Sequence, residues 1–213
     1  MIVFSSVAEG GSMAGFRLPA VPAMLEWRLE PVDWAAEEGG GLSIRAGEKT
    51  DLFTDPKDGA KTDAAPAALF TPPDIPFTLS ARVQVGFAAT YDAGVFHVRA
   101  GEDRWAKLCF EYSPQREPMV VSVVNHGVSD DCNSVVVRGE TVFLRVAQSR
   151  TATAFHYSLD GIRWSFVRYF SLGSLTGLRV GFSSQSPTGE GCRAVFTEIR
   201  YRAGFPGDIR SGE

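Results

Sequence analysis

The chain has 213 residues, of which 44% are hydrophobic and 22% charged, with a formal net charge of −4; this is ordinary for a globular protein large enough to bury a core without disulfide or metal staples. Charges of both signs are scattered with no basic stripe, which argues against nucleic acid as a partner, and no apolar run approaches the roughly 18 residues of a membrane span. Met1 to Gly15 lacks a basic flank ahead of its short apolar start, so no secretory signal is expected. Cys109, Cys132 and Cys192 are odd in number, far apart and without zinc or redox spacing. They are expected to be three reduced thiols of a cytoplasmic protein.

In chain order, short strands are expected at Leu25–Leu29 and Leu42–Ala46, followed by a long polar loop from Asp51 to Ala65. Pro66, Pro72, Pro73 and Pro76 lack the amide proton a central strand must donate, so that segment reads as loop or edge. The clearest strand starts at Phe77, where Phe77, Leu79, Ala81, Val83, Val85 and Phe87 alternate with more polar residues. Further strands follow at Val95–Arg99, Trp105–Tyr112, Met119–Asn125, Val142–Ala147, Thr153–Ser158, Trp164–Phe170, Leu178–Ser183 and Arg193–Tyr201. Asp160-Gly161 between two of them is a tight hairpin signal, since Asp-Gly accepts positive φ angles. No segment holds an apolar stripe at helical spacing for three turns. Strands spaced by about ten residues, with Gly, Pro and Asp between them, mark an all-β antiparallel sandwich or barrel. One domain is expected over residues 24–202, with a loose tail at 1–23 and another at 203–213.

The hairpin around Ala100-Gly101-Glu102-Asp103 carries the most functional information. Alternate side chains of a strand point to opposite faces, so Ala106, Leu108, Phe110 and Tyr112 share a core face while Trp105, Lys107, Cys109 and Glu111 share the other. Placing Arg99 opposite Trp105 sets His97 against Lys107 and keeps the lysine solvated; the alternative register buries Lys107 beside Phe96. A face with an aromatic ring, an ammonium and a carboxylate is suited to a sugar, whose apolar side stacks while its hydroxyls bind the charged groups. A solvated face with a surface Lys-Glu pair of little energetic value is the competing reading.

Several chemistries lack their signatures. No strand carries Glu-x-Asp-x-x-Glu, although glycoside hydrolysis needs two carboxyl groups astride the bond. There is no Gly-x-Ser-x-Gly elbow and no phosphate-cradling glycine loop. Asp130-Asp131, read as adjacent acids in a turn, lack calcium-loop spacing, and His97, His126 and His156 fall on separate segments, so neither metal nor cofactor is expected.

The runs Tyr91-Asp92-Ala93-Gly94, Trp105-Ala106-Lys107 with Glu111, Ser122-Val123-Val124, Ser129-Asp130, Tyr157 through Trp164 and Gly189-Glu190-Gly191 resemble the domain-of-unknown-function family typified by the regulation-of-enolase protein. The resemblance spans Leu25 to Tyr201 and implies a concanavalin-A-like jelly-roll sandwich of two antiparallel sheets. Thr50, Asp51, Asp92, Gly94, Trp105, Lys107, Glu111, Ser122, Asp130, Glu190 and Gly191 match the family pattern. Ala93, Asn125 and Asp131 depart from it, standing where the family tends to have glutamine, threonine and tryptophan. On this resemblance the concave sheet face binds a small polar ligand, a saccharide or sugar-derived metabolite, without catalysis. Trp105 stacks; Asp51, Lys107, Glu111 and Glu190 hydrogen-bond; His97 and Ser122 line the edge, and Asp130 lies on a nearby loop. The alternatives are a saccharide hydrolase or lyase using Glu111 or His97 with Lys107, and a regulatory partner of a metabolic enzyme.

Overall fold

The computed structural model describes residues 15–213, which contain no helix and hence none long and apolar enough to cross a membrane. Two seven-stranded antiparallel sheets pack face to face as a jelly-roll sandwich. The first runs in the order β1 (Glu26–Leu29), β6 (Ala67–Phe70), β15 (Arg179–Gln185), β8 (Ala93–Arg99), β9 (Arg104–Tyr112), β10 (Pro118–His126) and β11 (Val128–Val136). The second runs β14 (Ser165–Phe170), β13 (Thr153–Ser158), β12 (Thr141–Gln148), β7 (Phe77–Val85), β16 (Gly191–Ala203), β3 (Leu42–Gly47) and β2 (Asp33–Ala36). A separate hairpin pairs β4 (Leu52–Thr54) with β5 (Lys61–Asp63).

Period-two alternation builds the interior. Phe77, Leu79, Ala81 and Val83 of β7 are fully buried, facing the Phe96, Val98, Leu108 and Phe110 side of the first sheet. Phe96 and Phe182 from one sheet meet Phe196 from the other, with ring centroids 5.0–6.1 Å apart. Each such ring contributes about 1.5–3 kcal/mol by leaving water. A turn forms at Asp160-Gly161, with Gly161 at φ 73° and the Asp160 carboxylate accepting the amides of Ile162 and Arg163, but the strands pair only up to Tyr157 and Ser165, so it sits in a longer loop than the tight hairpin expected.

Other segments differ from expectation. The Asp51–Ala65 loop contains the β4–β5 hairpin. The proline-rich stretch flanks β6, an interior strand buried on both faces, where no alternation is needed. Asp130 and Asp131 lie not in a turn but in β11, whose position at the sheet edge lets polar residues occupy it. Of the tail expected at 1–23, residues 1–14 lie outside the described residues; Leu18 and Val21 belong to the core. The C-terminal stretch folds back onto the second sheet, where His156 Nε2 lies 2.7 Å from the Ile209 carbonyl oxygen.

Register also decides which way Ser122 points. It pairs with Leu108, whose side chain is in the core. Ser122 is therefore on the opposite face from Trp105, Lys107 and Glu111 and lines no edge of theirs. Its hydroxyl is buried with no hydrogen-bond partner. Because an unpaired buried hydroxyl retains its desolvation cost, Ser122→Ala is expected to raise the unfolding free energy by about 1 kcal/mol in urea titrations; a loss of stability would show that the hydroxyl is satisfied.

Candidate functional site

The site is built on the outer face of the first sheet. Arg99 pairs with Trp105, His97 with Lys107, Val95 with Cys109 and Ala93 with Glu111, the register expected from polarity. On the neighbouring strand Asn125, Val123, Val121 and Met119 stand opposite Trp105, Lys107, Cys109 and Glu111. Asp131 follows beyond Val123, and Gln185 beyond Ala93.

This face is covered rather than solvated. The β4–β5 hairpin lies across it, with Leu52, Phe53 and Ala65 packed on Trp105 and Val123. Asp63 of the hairpin pairs with Arg28 at 2.6 Å, and Lys61 with Asp103 at 2.8 Å. The Thr54 amide donates to Ser129 Oγ, which donates to Asn125 Oδ1, while Asn125 Nδ2 donates to the Asp103 carbonyl. Trp105 is consequently 0% exposed, and its ring offers no face for stacking. His97 is buried beside it, ring centroids 6.5 Å apart. Burial, then the Arg99, Arg28 and Lys107 charges, push the His97 pKa well below its ordinary value, so the ring is neutral.

Lys107 is the centre of the cluster. At 3% exposure its ammonium donates to Asp51 Oδ1 and to Gln185 Oε1, each at 3.0 Å, and the Phe53 ring lies 5.9 Å away. Burial pulls the lysine pKa down, but the nearby carboxylates, Asp51 foremost, outweigh it and hold the group above its usual range. Asp51 is held in turn at the base of the hairpin, where its own carbonyl accepts the amides of Ala64 and Ala65. The polar face that alternation exposes is thus neutralised by a loop arriving from elsewhere in the chain.

Glu111 behaves differently. It is 9% exposed and its carboxyl makes no side-chain hydrogen bond among the described residues. Burial raises its pKa to about 8, with Lys107 opposing and Asp131 and Asp51 adding to the rise. At neutral pH it is mostly a carboxylic acid, able to donate one hydrogen bond and accept others. Asp131, exposed on the edge strand, is also raised, by partial shielding from water first and by Asp51, against the pull of Lys107.

The remaining sequence candidates do not join this cluster. Asp130 pairs with Val124, a core residue, and so lies on the other side of the sheet, where it meets Arg168 at 2.9 Å. Glu190 is exposed on the loop after β15, which the Thr50–Ser186 bridge ties to the chain beside Asp51. Structure thus brings together Asp51, Lys107 and Glu111 and adds Gln185, Phe53 and Asp131. Asp131 needed only a one-residue parity correction from Asp130. Gln185 lay two residues past the expected end of its strand, and Phe53 inside the expected loop. Among the described residues no three His, Cys, Asp or Glu side chains are gathered as a metal would require.

The fold has relatives of known structure. A functionally unknown protein from Saccharomyces cerevisiae is 24% identical over 85% of this chain and 97% of its own, with a TM-score of 0.75. The GH43 protein BlXynB from Bacillus licheniformis is 18% identical over 84% of the chain, TM-score 0.67. Xylan beta-1,4-xylosidase from Bacillus halodurans C-125 is 13% identical over 94% of the chain, TM-score 0.65. The chain spans only 37% and 41% of these last two proteins, and the likeness is one of fold. No curated protein is significantly similar in sequence. Residues 27–203 match a single family across the sandwich, and the chain therefore belongs to the proteins of unknown function designated DUF1349.

Proposed function

We propose that this protein binds a small polar ligand, a carbohydrate or sugar-derived metabolite, at the Lys107–Asp51–Glu111 cluster and does not transform it. The observation that carries this reading is the Glu111 carboxyl, which is nearly buried, pushed up to a pKa of about 8 by that burial, and without a side-chain hydrogen-bond partner among the described residues. The Glu111 oxygens keep some access to the surface, and there a ligand hydroxyl can supply both donor and acceptor. Asp51 and Lys107 add an acceptor and a donor beside it, and the Phe53 ring lies 5.9 Å from the ammonium, whereas Trp105 is fully buried. The saccharide class draws support from the fold neighbours named as GH43 and xylosidase proteins, an argument by analogy, since one fold hosts many functions.

A second reading rests on the same carboxyl. An acid with a pKa of about 8 keeps its proton at neutral pH, as the general acid of a hydrolase or lyase must. His97 is unsuited to the role of base, being buried beneath the hairpin. Glu111→Gln separates the two readings: loss of turnover with binding retained favours catalysis, whereas absence of turnover in the parent protein favours binding alone.

In a thermal-shift screen against neutral sugars, sugar acids and sugar phosphates, a ligand at 100 times its dissociation constant is expected to stabilise the domain by about 2.7 kcal/mol. The shift should be lost in Phe53→Ala and Glu111→Ala. A flat response to every sugar would overturn the saccharide reading and transfer its weight to a protein partner.

Glu111 also sets an expected pH dependence. Its folded pKa lies above the unfolded value of 4.5, so between pH 4.5 and about 8 the native state holds a proton that the unfolded chain has released. Its contribution to stability is present below pH 4.5 and is lost as pH rises through 8. The difference is on the order of 5 kcal/mol before any relaxation. Urea unfolding of the parent and of Glu111→Gln at pH 5 and pH 8.5 should show a loss in the parent that the variant lacks; parallel pH profiles would contradict it.

A further inference from the structure

The outer face of the second sheet carries a different chemistry. A surface cavity of about 270 Å³ lies there, lined by Thr78, Ser80, Arg145, Trp164, Arg200 and Arg202 among others. Strand pairing explains the gathering. Arg145 of β12 and Arg200 of β16 both pair with Ser80 of β7, one on each side, and Arg202 pairs with Thr78 on the next rung outward-facing.

The arginines of β16 reach this face because of a β-bulge. Along the first part of the strand Ala194 and Phe196 point to the core while Arg193, Val195 and Thr197 point out. An unbroken alternation would put Arg200 and Arg202 inside. The register shifts between Thr197 and Arg200, with Glu198 at φ 50°, so that Ile199 and Tyr201 pack inward and both guanidinium groups turn outward. Bulges commonly serve to re-aim side chains in this way.

The cavity holds an excess of positive charge. Arg200 has one weak carboxylate contact, Glu198 at 3.5 Å, and Arg202 has none within ion-pair distance among the described residues. Arg145 is 9% exposed yet pairs with no carboxylate among the described residues; its guanidinium stacks 4.3 Å from the Trp164 ring centroid and donates to the Gly212 carbonyl at 2.8 Å. Its Nε is buried with no partner. The half-buried hydroxyls of Thr78 and Ser80 make no side-chain hydrogen bond among the described residues. A buried charge without a counter-charge is costly, and burial pushes the Arg145 pKa down to about 10. Three convergent guanidinium groups with two free hydroxyls suit the oxygens of a tetrahedral or planar oxyanion, which arginine binds through paired charge-assisted hydrogen bonds.

We propose that the groove formed by Arg145, Arg200, Arg202, Ser80 and Thr78 binds an anionic small molecule through its phosphoryl, sulfate or carboxylate group. The site is independent of the Lys107 cluster, which lies on the outer face of the other sheet. Its volume, just below the roughly 300 Å³ at which drug-sized pockets begin, leaves room for an oxyanion with a small organic group attached.

Calorimetric titration of the full chain with inorganic phosphate, sulfate, a hexose phosphate and a hexuronate tests this directly. Binding of at least one anion is expected, weakening by about tenfold or more, equivalent to about 1.4 kcal/mol, in Arg200→Ala and Arg202→Ala. Both residues are exposed, so neither change endangers folding, and Arg145→Lys keeps the charge while removing the planar fork. Arg193→Ala, on the same outer face but paired with Asp33 at 2.6 Å, should leave binding unchanged. Tighter binding of the hexose phosphate or hexuronate than of the free ions assigns an organic ligand; equal affinity assigns the ion itself. No binding of any of the four, or an affinity that Arg200→Ala, Arg202→Ala and Arg193→Ala all lower equally, overturns the proposal.

Discussion

An ammonium taken out of water costs several kcal/mol unless counter-charge and hydrogen bonds replace its hydration, and Lys107 is almost completely sealed. The β4–β5 hairpin meets that requirement. It delivers Asp51 to one side of the ammonium, while the end of β15 delivers Gln185 to the other. The hairpin's own apolar residues, Leu52 and Ala65, then bury Trp105. Removing Asp51 would leave the charge stranded, whereas replacing the whole cluster by apolar side chains need not destabilise the domain at all. Stability alone therefore does not account for a buried lysine and a buried glutamic acid on the same strand.

Strand parity accounts for most of what was legible in the chain and for most of what was not. Where one face is core and the other polar, as in β7 and β9, alternation fixes both the strand and the direction of each side chain. The pairing of His97 with Lys107 followed from that alone. Three kinds of strand escape it. β6 is apolar throughout because both its faces are covered. β11 is exposed almost throughout because it forms an edge, so its pattern shows no clean alternation, and this moved the relevant carboxylate from Asp130 to Asp131. β4 and β5 are three residues each, too short for any period to register. Since β4 and β5 are the cover of the site, the sequence identified the row of functional groups but represented it as open. Trp105 was misread for that reason: alternation assigns a residue to a face and says nothing of what lies above it.

The two outer faces are complementary in sign. On the first sheet carboxyl groups outnumber the ammonium at the cluster, and the surplus is relieved by keeping Glu111 protonated. On the second, guanidinium groups outnumber carboxylates, and arginine has no comparable escape because it does not deprotonate in the physiological range. A titratable excess can be tuned by burial, as at Glu111; a permanent one must be solvated, stacked or met by an anion. Arg145 uses the Trp164 ring and the Gly212 carbonyl, which stabilise part of the guanidinium but supply no counter-charge.

Family membership and the GH43 neighbours fix the scaffold without fixing the chemistry. In a two-carboxylate glycosidase the pair must stand on either side of the scissile bond at a separation that admits a nucleophile or a water. Here one carboxylate, Asp51, is already engaged by Lys107 and the other, Glu111, is closed to 9% exposure. A bond-cleaving pose would need the hairpin to lift from β9 and break the Asp51–Lys107 contact, exposing the ammonium and Trp105 together. Straps from Arg28, Asp103 and Ser129 oppose that movement at three separate points. The burial that raises the Glu111 pKa thus also restricts the size of anything that can reach its carboxyl.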